Sequence, residues 1–177
     1  MKSDLSIENI VKLYQDRVYN TCLGFLKNEE EAEDIAQEIF IKVFKNLDRF
    51  RGNSSIGTWI YRITVNQCLE ELRKTKHIRK LVNVEESTNS SIGVMHESDF
   101  YHPGVSLENR ERAHILFEAI DRLPEQQKVA FMLHKMEGLP YAEIGEIMKK
   151  SLSSVESLMH RAKLNLQNIL RDYYEGK

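Results

Sequence analysis

The stretch SLSSVESLMHRAK, residues 151–163, collects hydroxyls, an imidazole, a guanidinium and an amine in one short segment. Ser154, Ser157, His160, Arg161 and Lys163 all present hydrogen-bond donors. Donors of this kind, without a nucleophile–base pair, suit phosphate oxygens and base edges better than bond-making chemistry. Glu156 runs against that pattern, because a phosphate-lined surface repels a carboxylate. Two roles fit it. Ser153-Ser154-Val155-Glu156 matches the S-x-x-E capping box, with Ser153 as cap and Glu156 at the third helical position, at the positive end of the helix dipole. Alternatively, the carboxylate accepts from a cytosine amino group.

These side chains need a helix to present them, and the periodicity supplies one from about residue 153 to 173. Val155, Leu158, Met159, Ala162, Leu166, Ile169 and Leu170 share one face. Ser153, Ser157, His160, Arg161 and an unexpected Leu164 oppose it, flanked by Glu156 and Lys163. The preceding YAEIGEIMKK reads as a shorter helix, and the pair has the form of a helix-turn-helix over residues 141–163. Two tightly crossing helices require a small residue at the fifth position, where Gly145 stands. Ten residues later a branched apolar residue is needed, and Val155 is there. Lys149 occupies the turn position that favours a left-handed glycine. A left-handed lysine costs about 1 kcal/mol more, so the turn is expected to differ by a residue. A plain helical hairpin is the simpler alternative.

Two further constellations lie in the first half. In AEDIAQEIFIKVF, the seam Ala32, Ile35, Ala36, Ile39, Phe40, Val43, Phe44 and Leu47 leaves Glu33, Asp34, Gln37, Glu38 and Lys42 outside. Paired carboxylates can do acid–base work, but no nucleophile, glycine-rich phosphate cradle or zinc set accompanies them. An acidic exposed face suits docking onto a basic partner. In FRGNSSIGTWIYRITVNQCLEELRK, a small polar loop of Gly52, Asn53, Ser54 and Ser55 leads into a helix bearing Trp59, Tyr61, Arg62, Asn66 and Arg73. Aromatics interleaved with bases and amides suit stacked, unpaired nucleotides. The competing reading makes Trp59 core, beside Ile60, Ile63, Leu69 and Leu72. Glu111-x-x-His114 matches half of a di-iron helix motif, but no second copy occurs. Cys22 and Cys68 form neither a CxxC motif nor a disulfide framework, and read as small buried hydrophobes.

The elements that carry these groups are helices throughout. The 177 residues hold 8 Gly and 3 Pro, with 41% hydrophobic and 29% charged residues, a soluble globular balance. A first helix is expected over residues 6–27, with Ile10, Tyr14, Val18 and Cys22 on its inner face. A second follows, then the loop, then a third helix ending in a basic tail over residues 73–80. Residues 82–105 are acidic, serine-rich and aperiodic, and read as a flexible linker. Ser106 then caps a helix to about residue 122. Pro124 opens the next as its first residue, Gly138 ends it near residue 137, and Pro140 opens another. The expected fold class is all-α, with an N-terminal helical bundle (residues 1–81) and a C-terminal helix-turn-helix domain (residues 106–177).

Charge limits the function classes. The net charge is −2. Residues 1–84 hold 14 bases and 12 acids, residues 85–112 hold 2 and 6, and residues 113–177 hold 9 and 9. Such a chain does not grip nucleic acid by bulk charge. Local patches, or a partner that supplies affinity, must do so. No apolar run approaches the roughly 18 residues that cross a membrane. The N-terminus lacks a signal-peptide core, so a cytoplasmic location without stable membrane insertion is expected.

AEDIAQEIFIKVFKNLDRF, TWIYRITVNQCLEELRK and LPEQQKVAFMLHKMEGLPYAEIGEIMKKSLSSVESLMHRAK, in that order and spacing, resemble the extracytoplasmic-function (ECF) sigma factors of the sigma-70 family. The resemblance covers about residues 8–80 and 107–172. It implies a non-enzymatic protein without cofactor that binds core RNA polymerase and directs it to promoter DNA. Residues 1–81 would be region 2, with Asp34, Gln37, Glu38 and Phe40 docking the polymerase. Asn53, Ser54, Ser55, Trp59, Arg62 and Asn66 would meet the −10 element. Residues 106–177 would be region 4, with Ser154, Ser157, His160, Arg161 and Lys163 on the −35 element. The acidic linker would thread the RNA exit path, and an anti-sigma factor is an implied partner. Two other classes fit the helices: a stand-alone helix-turn-helix regulator with a sensing bundle, and a helical adaptor without promoter activity.

Overall fold

The structure, a computed structural model, describes residues 6–81 and 107–175. All regular structure among them is helical: seven α-helices and one 3-10 turn. The residues group into two compact units, one within Met1–His96 and one within Glu97–Lys177. The expected linker at 82–105 and the expected cap Ser106 lie outside the described residues.

The first unit is a three-helix bundle of α1 (Ile7–Leu26), α2 (Glu29–Asn46) and α3 (Ile56–Leu81), with a 3-10 turn at Leu47–Arg49. Ser6 caps α1 by accepting from the Asn9 N–H at 3.2 Å. Lys27 ends α1 in the left-handed region (φ 60°), its N–H bonded to the Leu23 carbonyl. Asn28 then caps α2 by accepting from the Glu31 N–H at 2.9 Å. A two-residue connection therefore folds α2 back on α1. Glu29, Glu30 and Glu31 sit at the positive end of α2 and Lys45 at its negative end, as the helix dipole favours.

Ile10, Val18, Phe25, Ile39, Val43 and Ile60 are nearly inaccessible at the centre of this bundle. Cys22 and Cys68 are both buried and unbridged, their sulfurs 3.7 Å apart. The contact with Cys68, together with burial, pushes the Cys22 thiol far above its ordinary value, so it stays protonated. These residues act as core, as their helical setting implied.

The second unit holds α4 (Leu107–Asp121), α5 (Glu125–Lys135), α6 (Tyr141–Met148) and α7 (Leu152–Glu175). The long α7 packs against the other three. Pro124 stands one residue before α5 rather than inside it, and its carbonyl accepts from the Gln127 and Lys128 N–H groups. Gly138, at φ 69°, turns the chain after α5, and the Leu139 N–H returns to the Leu133 carbonyl. A partly buried hydrogen bond, in which Asn165 Nδ2 on α7 donates to Gln127 Oε1 at 2.7 Å, ties α7 to α5.

The crossing of α6 and α7 depends on Gly145. A Cβ there would lie 2.8 Å from the Lys150 carbonyl oxygen and 3.8 Å from a Val155 methyl. The small-then-branched spacing expected from sequence is therefore a direct contact. Lys149 adopts the left-handed conformation itself, at φ 54° and ψ 48°. This corrects the expectation of a shifted turn. The Lys150 N–H bond to the Gly145 carbonyl, 2.8 Å, closes the helix end and holds Lys149 in that conformation.

Two substitutions test this corner by chemical denaturation. Lys149→Gly is expected to stabilise the chain by about 0.5–1 kcal/mol, by removing the left-handed penalty. Gly145→Val is expected to cost about 2 kcal/mol or more, because the obstructing atom is backbone.

Candidate nucleic-acid interface

The outward face of α7 is built by its start. Ser151 is the residue that caps it: its hydroxyl accepts from the Ser154 N–H at 3.3 Å, and its carbonyl accepts from the Val155 N–H at 3.1 Å. This overturns the Ser153–Glu156 capping box. Ser153 is already helical, and its carbonyl accepts from the Ser157 hydroxyl at 2.9 Å. The left-handed Lys149 stops α6 early enough for α7 to begin at Leu152, two residues before the box would allow.

With that start, Val155, Leu158, Met159, Ala162 and Leu166 are buried. Ser154, Ser157, His160, Arg161 and Lys163 are all exposed. Ser157, His160 and Arg161 line one shallow hollow together with Glu156. Ser154 and Lys163 fall on the two flanks of the outward face. The donors are partly occupied within the helix. Ser154 meets the Ser151 hydroxyl at 2.8 Å, and Arg161 Nε donates to the Ser157 carbonyl at 3.2 Å. Leu164, 46% exposed, adds an apolar contact on the same side. On α5, His134 Nδ1 donates to the Leu139 carbonyl at 3.0 Å. Its ring packs edge-on against Tyr141 at the start of α6.

In the first unit, Gly52 at φ 71° turns the loop, and Asn53 is exposed on it. Ser55 has a structural task. Its hydroxyl accepts from the Thr58 N–H at 3.0 Å and meets the Thr58 hydroxyl at 2.8 Å, capping α3. Ser54 is half-buried, its hydroxyl 3.3 Å from the Ser55 carbonyl. Trp59 is neither core nor free. It is half-buried and packs on Phe50, ring centroids 5.3 Å apart, which leaves an aromatic pair beside the loop. Arg62 is half-buried and Asn66 exposed on successive turns of the same helix, whereas Tyr61 is 3% exposed and belongs to the core. The inner face of α3 is Ile60, Tyr61, Thr64, Val65, Cys68 and Leu69, and Ile63 and Leu72 are only half-buried.

On α2, Asp34, Gln37 and Glu38 are exposed and Phe40 is half-buried. Phe44 leaves the expected seam: it is 62% exposed, and Ile41 beside it is 52% exposed. The outer face thus runs from carboxylates at its N-terminal half to bare apolar side chains at its C-terminal half. Gln67, buried on α3, reaches this face. It donates to Glu38 at 3.1 Å and accepts from the Lys42 ammonium. No cluster of three or more metal-ligating side chains occurs among the described residues, and His114 instead lies 3.8 Å from Glu118 on an exposed turn.

Residues 10–78 match the family Sigma-70 region 2, and residues 113–166 match Sigma-70, region 4. The ECF RNA polymerase sigma factor SigW of Bacillus subtilis is 33% identical over 168 residues, spanning 93% of this chain and 88% of that protein. The chain belongs to the ECF sigma factors. The ECF sigma-E factor of Haemophilus influenzae is 33% identical over 163 residues, 90% of this chain and 84% of its own length. The fold is shared with a sigma factor RpoE solved in complex with the anti-sigma factor NepR from Bartonella quintana. That match has a TM-score of 0.70 at 20% identity and covers 93% of this chain and 96% of the other. The structure of CnrH in complex with the cytosolic domain of CnrY gives 0.65 at 16% identity, covering 93% and 86%.

The helix faces of this sigma factor carry residues that its sequence motifs alone did not single out. Phe50, Gln67 and Ile41 fall in this group. Ile41 was legible as an apolar residue off the seam. Gln67 gave no signal, because its partners lie far away in sequence.

The caps can be tested directly by thermal or chemical unfolding. Ser151→Ala is expected to cost about 1 kcal/mol, whereas Ser153→Ala is expected to cost less than about 0.5 kcal/mol. Ser55→Ala is expected to cost about 1 kcal/mol in the N-terminal unit.

Proposed function

We propose that residues 1–81 act as region 2 and residues 106–177 as region 4 of a cytoplasmic, non-enzymatic ECF sigma factor. It binds core RNA polymerase and directs it to promoters. The observation that carries the residue assignments is the position of α7, which presents Ser154, Ser157, His160, Arg161 and Lys163 outward while Gly145 and Val155 lock it to α6. These residues contact the −35 element.

In region 2, the outer face of α2 docks the polymerase. Asp34, Gln37 and Glu38 meet a basic surface, and Phe40, Ile41 and Phe44 supply apolar contact. Two large apolar side chains left in water beside carboxylates support a protein-binding face. Asn53 and Ser54 on the loop, with the Trp59–Phe50 pair, hold an unstacked base of the −10 element. Ser55 shapes the loop by capping α3, and Arg62 and Asn66 extend the surface along the opened strand. No described helix is long and apolar enough to cross a membrane. An anti-sigma factor that covers these faces is a further partner of this reading, since two solved structures sharing the fold are complexes with such partners or a cytosolic domain.

In vitro transcription with core polymerase on genomic fragments tests the reading. Discrete start sites that require the chain are expected, while the isolated chain binds duplex DNA weakly. Tight sequence-specific binding by the chain alone would favour a stand-alone regulator, and no transcripts would favour an adaptor. Within that assay, Asp34→Arg and Phe44→Ser are each expected to weaken polymerase binding by about tenfold or more without unfolding the chain.

A further inference from the structure

Glu156 has no structural duty that accounts for it. It caps nothing, since Ser151 fills that role. It is exposed and lines the hollow with Ser157, His160 and Arg161. It sits in the second turn of α7, inside the segment of a recognition helix that reaches deepest into a groove. A carboxylate there gains nothing from phosphates. It gains only from a donor on a base edge.

The major groove offers two such donors, the amino groups of cytosine and adenine. They differ in their surroundings. The adenine amino group lies beside the N7 acceptor of the same base, which repels a carboxylate. Cytosine places a C–H on that side and carries no major-groove acceptor of its own. Arg161, in the same hollow, supplies the complementary donor that guanine accepts at O6 and N7. The hollow thus has an acceptor and a donor side by side, which matches a cytosine next to a guanine edge.

We infer that Glu156 is a specificity-determining residue that reads a cytosine amino group at one position of the −35 element. This inference rests on the proposed role of α7 as the −35 helix. The test uses polymerase loaded with the full-length chain and a promoter library randomised across the −35 element, with transcript yield as readout. Wild type, Glu156→Ala, Glu156→Gln and Glu156→Lys are compared.

The wild type is expected to prefer cytosine at one position by about tenfold. Glu156→Ala is expected to flatten that position and no other. Glu156→Gln is expected to move the preference towards adenine, whose N6 and N7 pair with a carboxamide. If Glu156→Lys and Glu156→Ala raise yield alike on all sequences, with no change at any single position, Glu156 is only a repulsive charge and the inference fails. A wild-type preference for adenine rather than cytosine at that position overturns it too. Absence of any transcript with the wild type would instead overturn the proposed function. Because Glu156 is exposed and its carboxylate has no hydrogen-bond or ion-pair partner among the described residues, these variants retain the structure.

Discussion

The C-terminal unit turns on a backbone carbonyl packed where Gly145 has no side chain. The Lys150 carbonyl oxygen lies 2.8 Å from where a Cβ of Gly145 would stand. Everything outward of that contact follows from it. The chain must leave α6 at once, so Lys149 accepts a left-handed conformation that lysine resists. The Lys150 N–H bond to Gly145 holds it there. Ser151 is then in position to cap, and α7 begins at Leu152. One residue of slip at this corner would turn α7 by about 100° and send a different set of side chains outward. Steric exclusion at Gly145 thus decides which side chains α7 turns outward.

A comparable constraint acts in the first unit, by polar means. Gln67 is buried, so both ends of its amide need partners. It finds them in Glu38 and Lys42, which belong to the outer side of α2. The pairing fixes the roll of α2 against α3. It keeps Asp34, Gln37, Ile41 and Phe44 on the water side, although burying two large apolar residues would otherwise be favourable. The same α3 that anchors Gln67 carries Arg62 and Asn66 on other faces. The roll of α2 and the placement of Arg62 and Asn66 are therefore both set by α3.

Much of this was legible before any coordinates. Helix order, the Gly145–Val155 pairing and the outward set on α7 follow from 3.6-residue periodicity and one steric rule. What failed did so for specific reasons. SLSSVE offers two overlapping caps, Ser151 with Ser154 and Ser153 with Glu156. Local pattern cannot choose between them, because the choice is made upstream at Lys149. Spacing alone puts Phe44 in the seam, where a phenylalanine usually is core, yet it is 62% exposed. Among the described residues of the first unit, none covers it on that side. Trp59 was undecidable for a related reason: its partner Phe50 sits across the loop, and an aromatic pair half in water looks like core in a sequence. Ser55 caps α3, a task its sequence setting does not distinguish from base contact, since both call for the same hydroxyl.

The charge balance then acquires a physical meaning. Residues 113–177 carry 9 bases and 9 acids. A duplex-binding unit so constituted releases few counterions and has little nonspecific grip. That is a defect in a protein that must find DNA unaided. It is an advantage in one that is delivered by a polymerase, because idle binding to the genome competes with assembly. Under that division of labour the helix face is free to carry Glu156. Affinity lost to phosphate repulsion is made up by the partner, whereas discrimination between base edges comes from the helix alone. A carboxylate in a groove is therefore most tolerable where binding strength and base reading reside on different molecules.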